Sequence, residues 1–338
     1  MSRRPSCLIT GFTGMVGSHL ADHLLEHTDW QLHGLLRWND DLSNVDHLLP
    51  RVNSKDRIGL VYGDLNDHPS LERAVAATRP DYVFHLAAQS YPQTSFTAPI
   101  ETLQTNILGT AGLLEAIHRS GLQPVVHVCA SSEVFGRVPK RYLPIGEETP
   151  FHPASPYAIS KVGTDLVGRF YAEAYGLCVM TTRMFTHTGP RRGDVFAEST
   201  FAKQIALIEE GRIEPVLRTG NLDSMRTWSD VRDAVRAYHL LVTVNPVPGA
   251  YYNIGGAYSC TVGDMLRHLL SLSTRDDIEV VTDPERLRPI DADLQVPDTT
   301  KFRAHTGWEP RIPFEQTMQD LLDWWRDRVR SGRNFLVR

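Results

Sequence analysis

The chain has 338 residues, 41% hydrophobic and 22% charged, with 35 Lys and Arg against 40 Asp and Glu and a formal net charge of −5. That length exceeds what one compact core usually holds, so one large or two coupled lobes are expected, and the acidic balance argues against a nucleic-acid binder. No apolar run approaches the roughly 20 residues that span a bilayer, and the opening MSRRPS leads into a strand-like run, not a signal-peptide core.

In chain order, CLIT reads as a buried strand and GSHLADHLLEH as the helix behind it, with Leu20, Leu24 and Leu25 on one face. LHGLL, IGLVYGDL, a helix around SLERAVAAT, YVFHLAA, a helix around NILGTAGLLEAIHRS, and PVVHVCA continue the alternation. Continuous apolar strands separated by helices predict a parallel sheet covered on both faces. A helix over YAISKVGTDLVGRFYAEAYG and the strand CVMTTRMF follow. After residue 185 the pattern turns irregular around the helix STFAKQIALIEEG, and DVRDAVRAYHLLV with YYNIGG reads as a helix and strand returning to the sheet. A helix near TVGDMLRHLLSL, the strand IEVV, the loop RLRPIDADLQV and a last helix ending in LLDWWRDRV complete the chain. The expected fold is α/β, a Rossmann-type doubly wound parallel sheet with a smaller, discontinuous C-terminal lobe. Residues 1–185 and 226–257 would form the first unit, and 186–225 and 258–338 the second.

Cys7, Cys129, Cys178 and Cys260 are scattered, with no C-x-x-C pair and no metal-ligand spacing, so reduced thiols in a cytoplasmic protein are expected. His19, His23 and His27 recur every four residues on the first helix; lacking a clear fourth ligand, they read as a solvated face and not a metal site. The DWW near the end reads as packing or a subunit contact.

Gly11, Gly14 and Gly17 stand between a strand and a helix, where glycines allow a tight turn, backbone approach to a pyrophosphate and close helix packing. Gly11, Thr13, Gly14, Met15, Val16 and Gly17 are therefore candidate cofactor contacts. Arg37 follows the second strand, where an Arg accommodates a 2′-phosphate and an acid a ribose hydroxyl. NADP is favoured; Asp40 and Asp41 nearby keep NAD as the alternative.

SPYAISK sets Tyr157 and Lys161 four residues apart on one helix face, where an ammonium favours a phenolate. Ser131, Ser132 and Glu133 end the strand VVHVCA, and a Glu there suits removal of a proton acidified by a neighbouring ketone.

The G-x-x-G-x-x-G turn, Ser131 and the Tyr157/Lys161 pair resemble the extended short-chain dehydrogenase/reductase family along nearly the whole chain. The resemblance implies adenine contacts at Asp64 and Leu65, a turn beside the nicotinamide ribose at Leu86, Ala87 and Ala88, and a structural asparagine at Asn106. It implies ribose contacts from Tyr157 and Lys161, and the catalytic set Ser131, Tyr157 and Lys161. HGLLR, LAAQS, RRGDVF, GNLDSMR and S-S-E resemble GDP-mannose 4,6-dehydratases, whereas FTHTGP, FAKQIALIEEG and LRPIDADL resemble GDP-4-keto-6-deoxy-mannose reductases. Where the dehydratases have N-H-E-S-P this chain has Thr186 to Pro190, and it has Arg226-Thr227-Trp228 where they have R-D-W.

The expected activity is a nucleotide-sugar 4,6-dehydratase acting on a GDP-linked sugar. A 4-keto-sugar reductase is the alternative, and a 4-oxidase or epimerase on a GDP-sugar such as a heptose the third. Gln89, Arg192, Asn221, Arg226 and Arg288 are the candidate substrate contacts by the same resemblance, with no metal, nucleic acid or membrane partner. A homodimer or homotetramer through helices beside the active site is likewise implied.

Overall fold

β1 (Ser6–Thr10) is buried at every position, as a strand covered on both faces must be. The computed structural model describes residues 3–287 and 292–332. From β1 the chain alternates through α1 (Met15–His27), β2 (Gln31–Leu36), α2 (Leu49–Asn53), β3 (Ile58–Tyr62), α3 (His68–Thr78) and β4 (Tyr82–His85). A broken helical run follows: α4 (Pro92–Thr97), α5 (Pro99–Leu103), a π turn over Gln104–Leu108, and α6 (Gly109–Ser120). Next come β5 (Val125–Cys129), α7 (Pro156–Tyr175), β6 (Cys178–Met184) and the short β7 (His187–Thr188). The rest comprises α8 (Ala197–Glu209), β8 (Val216–Thr219), β9 (Met225–Asp230), α9 (Val231–Thr243), β10 (Tyr251–Ile254) and β11 (Tyr258–Thr261). It ends with α10 (Val262–Ser271), β12 (Glu279–Thr282), β13 (Leu294–Gln295), α11 (Thr300–Thr306) and α12 (Phe314–Arg330).

Among the described residues, seven strands form one sheet in the order β10-β6-β5-β4-β1-β2-β3, every pairing parallel. This is the expected doubly wound sheet. One apolar face packs on α1 and α9 through Leu20, Leu24, Val235 and Tyr238, the other on α3, α6 and α7 through Leu71, Leu113, Ile117 and Ala172. A separate core joins α8, α10 and α12 around Phe201, Met265, Met318 and Trp325. Strand order reverses between β1 and β4, and the crevice outside the carboxyl ends of such strands is where this architecture binds ligands.

Two local expectations need correction. The helix expected around Asn106 begins with a π turn, because Asn106 is buried and its side chain is consumed outside the helix. Its Oδ1 accepts from the Gln89 N–H at 2.8 Å, and its amide donates to Gln89 O at 3.0 Å and Ser160 Oγ at 2.8 Å. The histidine stripe of α1 is solvated only at its end, where His27 is exposed. His19 is buried and hydrogen-bonds Pro190 O at 3.1 Å, and His23 Nε2 meets His239 Nδ1 of α9 at 3.1 Å. Burial holds His19 and His23 down at about 4.

Candidate active site

The carboxyl ends of β1, β4, β5 and β6 open into one cavity of about 850 Å³, closed on its far side by α8, β9 and α12. Its floor is the glycine turn. Gly11 has φ +67°, and a Cβ there would lie 2.8 Å from Ala87 N; one on Gly17 would lie 2.3 Å from Gly11 O. Gly14 caps α1 without a side chain, so the N–H groups of the first helical turn remain available to an anion. Gly11, Thr13, Gly14, Met15, Val16 and Gly17 all line the cavity. A backbone cradle that a Cβ would fill fits the pyrophosphate of a dinucleotide.

A buried polar chain holds this turn against β4. Thr10 Oγ1 accepts from the N–H groups of Leu86 (3.1 Å) and Ala87 (3.0 Å), so its hydroxyl hydrogen goes to His85 Nδ1 at 2.9 Å. His85 Nε2 then donates to Thr110 Oγ1 at 2.9 Å, and Thr110 donates to Asn106 O at 2.6 Å. Burial and the Lys161 charge push His85 down to about 3, so the ring is neutral, as this sequence of bonds requires.

On the opposite wall, Ser155 caps α7 by accepting from Ala158 N at 3.0 Å, and Pro156 opens the helix. Tyr157 and Lys161 thereby face the cavity together, both buried. Lys161 Nζ donates to Cys129 O at 2.7 Å and sits 6.0 Å from the Tyr157 ring centre, with two donors left for a ligand. Burial raises the Tyr157 phenol well above its ordinary value, with Ser131 pulling the other way, and burial lowers the Lys161 ammonium. The resting phenol is therefore neutral: desolvation outweighs the expected help from Lys161. Ser131 Oγ accepts from Glu133 N at 3.2 Å and turns its own hydrogen toward the Tyr157 phenol. Ser132 is buried, Glu133 half-buried, and both line the same wall.

The sequence profile of the GDP-mannose 4,6 dehydratase family matches residues 8–321. The chain belongs to the GDP-mannose 4,6-dehydratase family. The GDP-mannose 4,6-dehydratase of Vibrio cholerae serotype O1 is 31% identical, the match covering 93% of this chain and 92% of the relative. The GDP-6-deoxy-D-mannose reductase of Pseudomonas aeruginosa is 32% identical across 96% and 98% of the two chains. The solved structure of RMD from Pseudomonas aeruginosa complexed with NADPH superposes with TM-score 0.80, 30% identity and coverage of 96% and 99%. A dTDP-glucose 4,6-dehydratase from Bacillus anthracis, in complex with NAD, gives TM-score 0.80 at 25% identity, covering 96% of this chain and 97% of that one.

Within this family fold, several of the expected contact residues lie outside the cavity lining. Arg37 is turned aside: its N–H and its Nε each reach Asp40 at 2.9 Å. The cavity wall there is Asp41, Ser43 and Asn44, the last pinned to Thr13 O at 3.0 Å. Asp64 Oδ1 caps Asn66 N at 2.8 Å, and Leu65 is buried beneath Gly109. Leu86 and Ala88 line the cavity, but Ala87 backs Gly11. Gln89 does not reach it; its amide holds the 89–91 turn through Thr102 Oγ1 at 3.1 Å and Tyr91 N at 2.6 Å.

Arg192, Asn221 and Arg226 line the cavity. Arg192 pairs with buried Glu198 at 3.0 Å, Asn221 donates to Ser224 Oγ at 3.0 Å, and Arg226 donates to the Ala292 and Met225 carbonyls. Arg288 lies outside the described residues. Sequence reasoning missed Glu198, whose role shows only through Arg192, and His187. The latter donates from Nδ1 to Phe185 O at 3.1 Å and is held at about 4 by burial and by Arg192, so it lines the cavity as a neutral ring.

Proposed function

We propose that this enzyme is an NAD(P)-dependent nucleotide-sugar 4,6-dehydratase acting on a GDP-linked sugar of the manno series. The observation carrying this reading is Ser131-Ser132-Glu133 on one wall of the cavity that also holds Tyr157 and Lys161. A nicotinamide dinucleotide held by the glycine turn and Lys161 would supply reversible hydride acceptance beside the sugar. Tyr157 takes the proton of the C4 hydroxyl, oriented by the Ser131 O–H, and Lys161 holds a ribose. Once C4 is a ketone the C5 proton is acidic, and Glu133 removes it. The C6 hydroxyl leaves as water with a proton from Ser132 or Glu133. The enclosing α8 and α12 keep the intermediate out of water. Residues 1–185 and 226–257 serve the cofactor in this reading, and 186–225 with 258–338 the sugar nucleotide.

The test is a product assay with GDP-mannose and catalytic NADP+. The expected result is a 4-keto-6-deoxy sugar with no net NADPH, and its loss in Glu133→Gln. NADPH build-up would mean a 4-oxidase. The reductase similarity favours one rival, a 4-keto reductase using the same Tyr157, and consumption of NADPH on a supplied 4-keto-6-deoxy sugar would move the assignment there.

A homo-oligomer is part of the proposal. Ile159, Leu166 and Phe170 are exposed along one stripe of α7, and Ile100 and Leu108 are exposed on the helical run packed beside it. Contiguous apolar surface of this kind marks a protein contact. Light scattering should give about twice the 38.0 kDa chain mass or more, and Phe170→Glu should return it to the monomer. The setting proposed is cytoplasmic, in keeping with four free thiols; among the described residues no helix is long and apolar enough to cross a membrane.

A further inference from the structure

The paired tryptophans of α12 divide between two tasks. Trp325 is buried, donating from Nε1 to Ser199 Oγ at 2.8 Å. Its ring meets that of Trp324 edge-on, with centroids 4.8 Å apart and planes at 78°. Trp324 is only half-buried and lines the cavity, so its indole is a braced aromatic surface on the wall of the site. Arg328 follows one turn later, its guanidinium 5.3 Å from the Trp324 ring centre, and it lines the same cavity.

The other cavity arginines are engaged within the protein. Arg191 pairs with Asp22, Arg192 with Glu198 and Arg286 with Asp283, and Arg226 is spent on carbonyls. Among the described residues Arg328 pairs with no carboxylate. A flat aromatic beside an uncommitted, forked donor suits a nucleobase: the ring stacks on the base and the fork reads its edge. Guanine offers the adjacent acceptors O6 and N7 that an arginine spans bidentately. Adenine places a donor at the matching position, and thymine offers a single O4.

We propose that Trp324 and Arg328 form the base subsite of this enzyme, Trp324 stacking on the guanine of the sugar nucleotide and Arg328 donating to its O6/N7 edge. The inference rests on the GDP-sugar reading and assigns its nucleobase selectivity to two residues of the last helix.

Calorimetric titration of the full-length chain with GDP, ADP and UDP tests it. Wild type should prefer GDP. Trp324→Ala should raise the Kd for GDP roughly 10- to 100-fold, with Trp324→Phe recovering most of the loss. Arg328→Met should weaken GDP toward the affinity of ADP and leave ADP and UDP little changed. In turnover both variants should raise KM and leave kcat near wild type, and matching thermal melts establish that they are folded. Selective GDP binding that survives Trp324→Phe and Arg328→Met unchanged would overturn the subsite while leaving the proposed reaction standing. A wild type that binds GDP no better than ADP and UDP would overturn both.

Discussion

Tyr157→Phe is expected to lower kcat by about 10²- to 10⁴-fold, the usual worth of a positioned general base, and to leave cofactor affinity almost unchanged. The reason is the cavity wall itself. Tyr157 is buried, and its phenol is raised by that burial, so little phenolate exists at neutral pH. Below the phenol's own pKa, each unit of pH multiplies the phenolate fraction about tenfold. The wild-type rate for C4 oxidation should therefore climb with pH, whereas the Phe variant should show a flat residue of activity. Initial rates of transient NADPH formation between neutral and alkaline pH would read this. A Phe variant that keeps the rising limb would remove Tyr157 from the role of base.

The largest loss of stability is expected at Arg183→Met, about 3 kcal/mol, because the change takes the forked partner from a buried carboxylate and leaves it only Arg169 at 3.7 Å. Arg183 Nε and Nη2 reach Asp165 at 2.8 and 3.2 Å, and Nη1 donates to Glu147 O at 2.6 Å. Phe151 and Tyr251 cover the guanidinium, with ring centres 4.7 and 4.6 Å away. Both charged side chains are essentially without solvent contact. The pair fastens β6 to α7, the helix that presents Tyr157, so the variant should lose activity in step with folding. Urea unfolding should show a lower midpoint at unchanged slope, and Arg183→Met combined with Asp165→Leu should recover much of the loss. A midpoint unmoved in the single variant would show that the pair contributes nothing.

What could be read from the sequence was local. The glycine turn, the Tyr157/Lys161 spacing and Ser131 to Glu133 are short-range patterns attached to strand ends, and their placement in one cavity follows once the strands run parallel. The sheet was legible for the same reason, since strands such as VVHVC are continuous apolar runs. The errors arose where a side chain's partner sits far along the chain or across the sheet. Nothing near His23 foretells His239, and nothing near Asn106 foretells Ser160. Arg37 does follow β2 as read, but its bond to Asp40, three residues away, is set by a turn and not by a periodicity. Trp324 and Trp325 are adjacent and both line the site, and only the packing of α12 on α8 tells which one is anchored and which one stays half-exposed there.

The position of β10 has a consequence for synthesis on the ribosome. β10 zips onto the outer edge of β6, yet all of β7, α8, β8, β9 and α9 is translated between the two. Until residues Tyr251–Ile254 emerge, β6 presents a row of unpaired peptide groups to solvent, a template for adhesion to another nascent chain. A chain truncated between β6 and β10 would carry that open flank permanently. The seven-stranded sheet is thus completed late, because the strand that seals the β6 edge is delivered only after β7, α8, β8, β9 and α9 have been made.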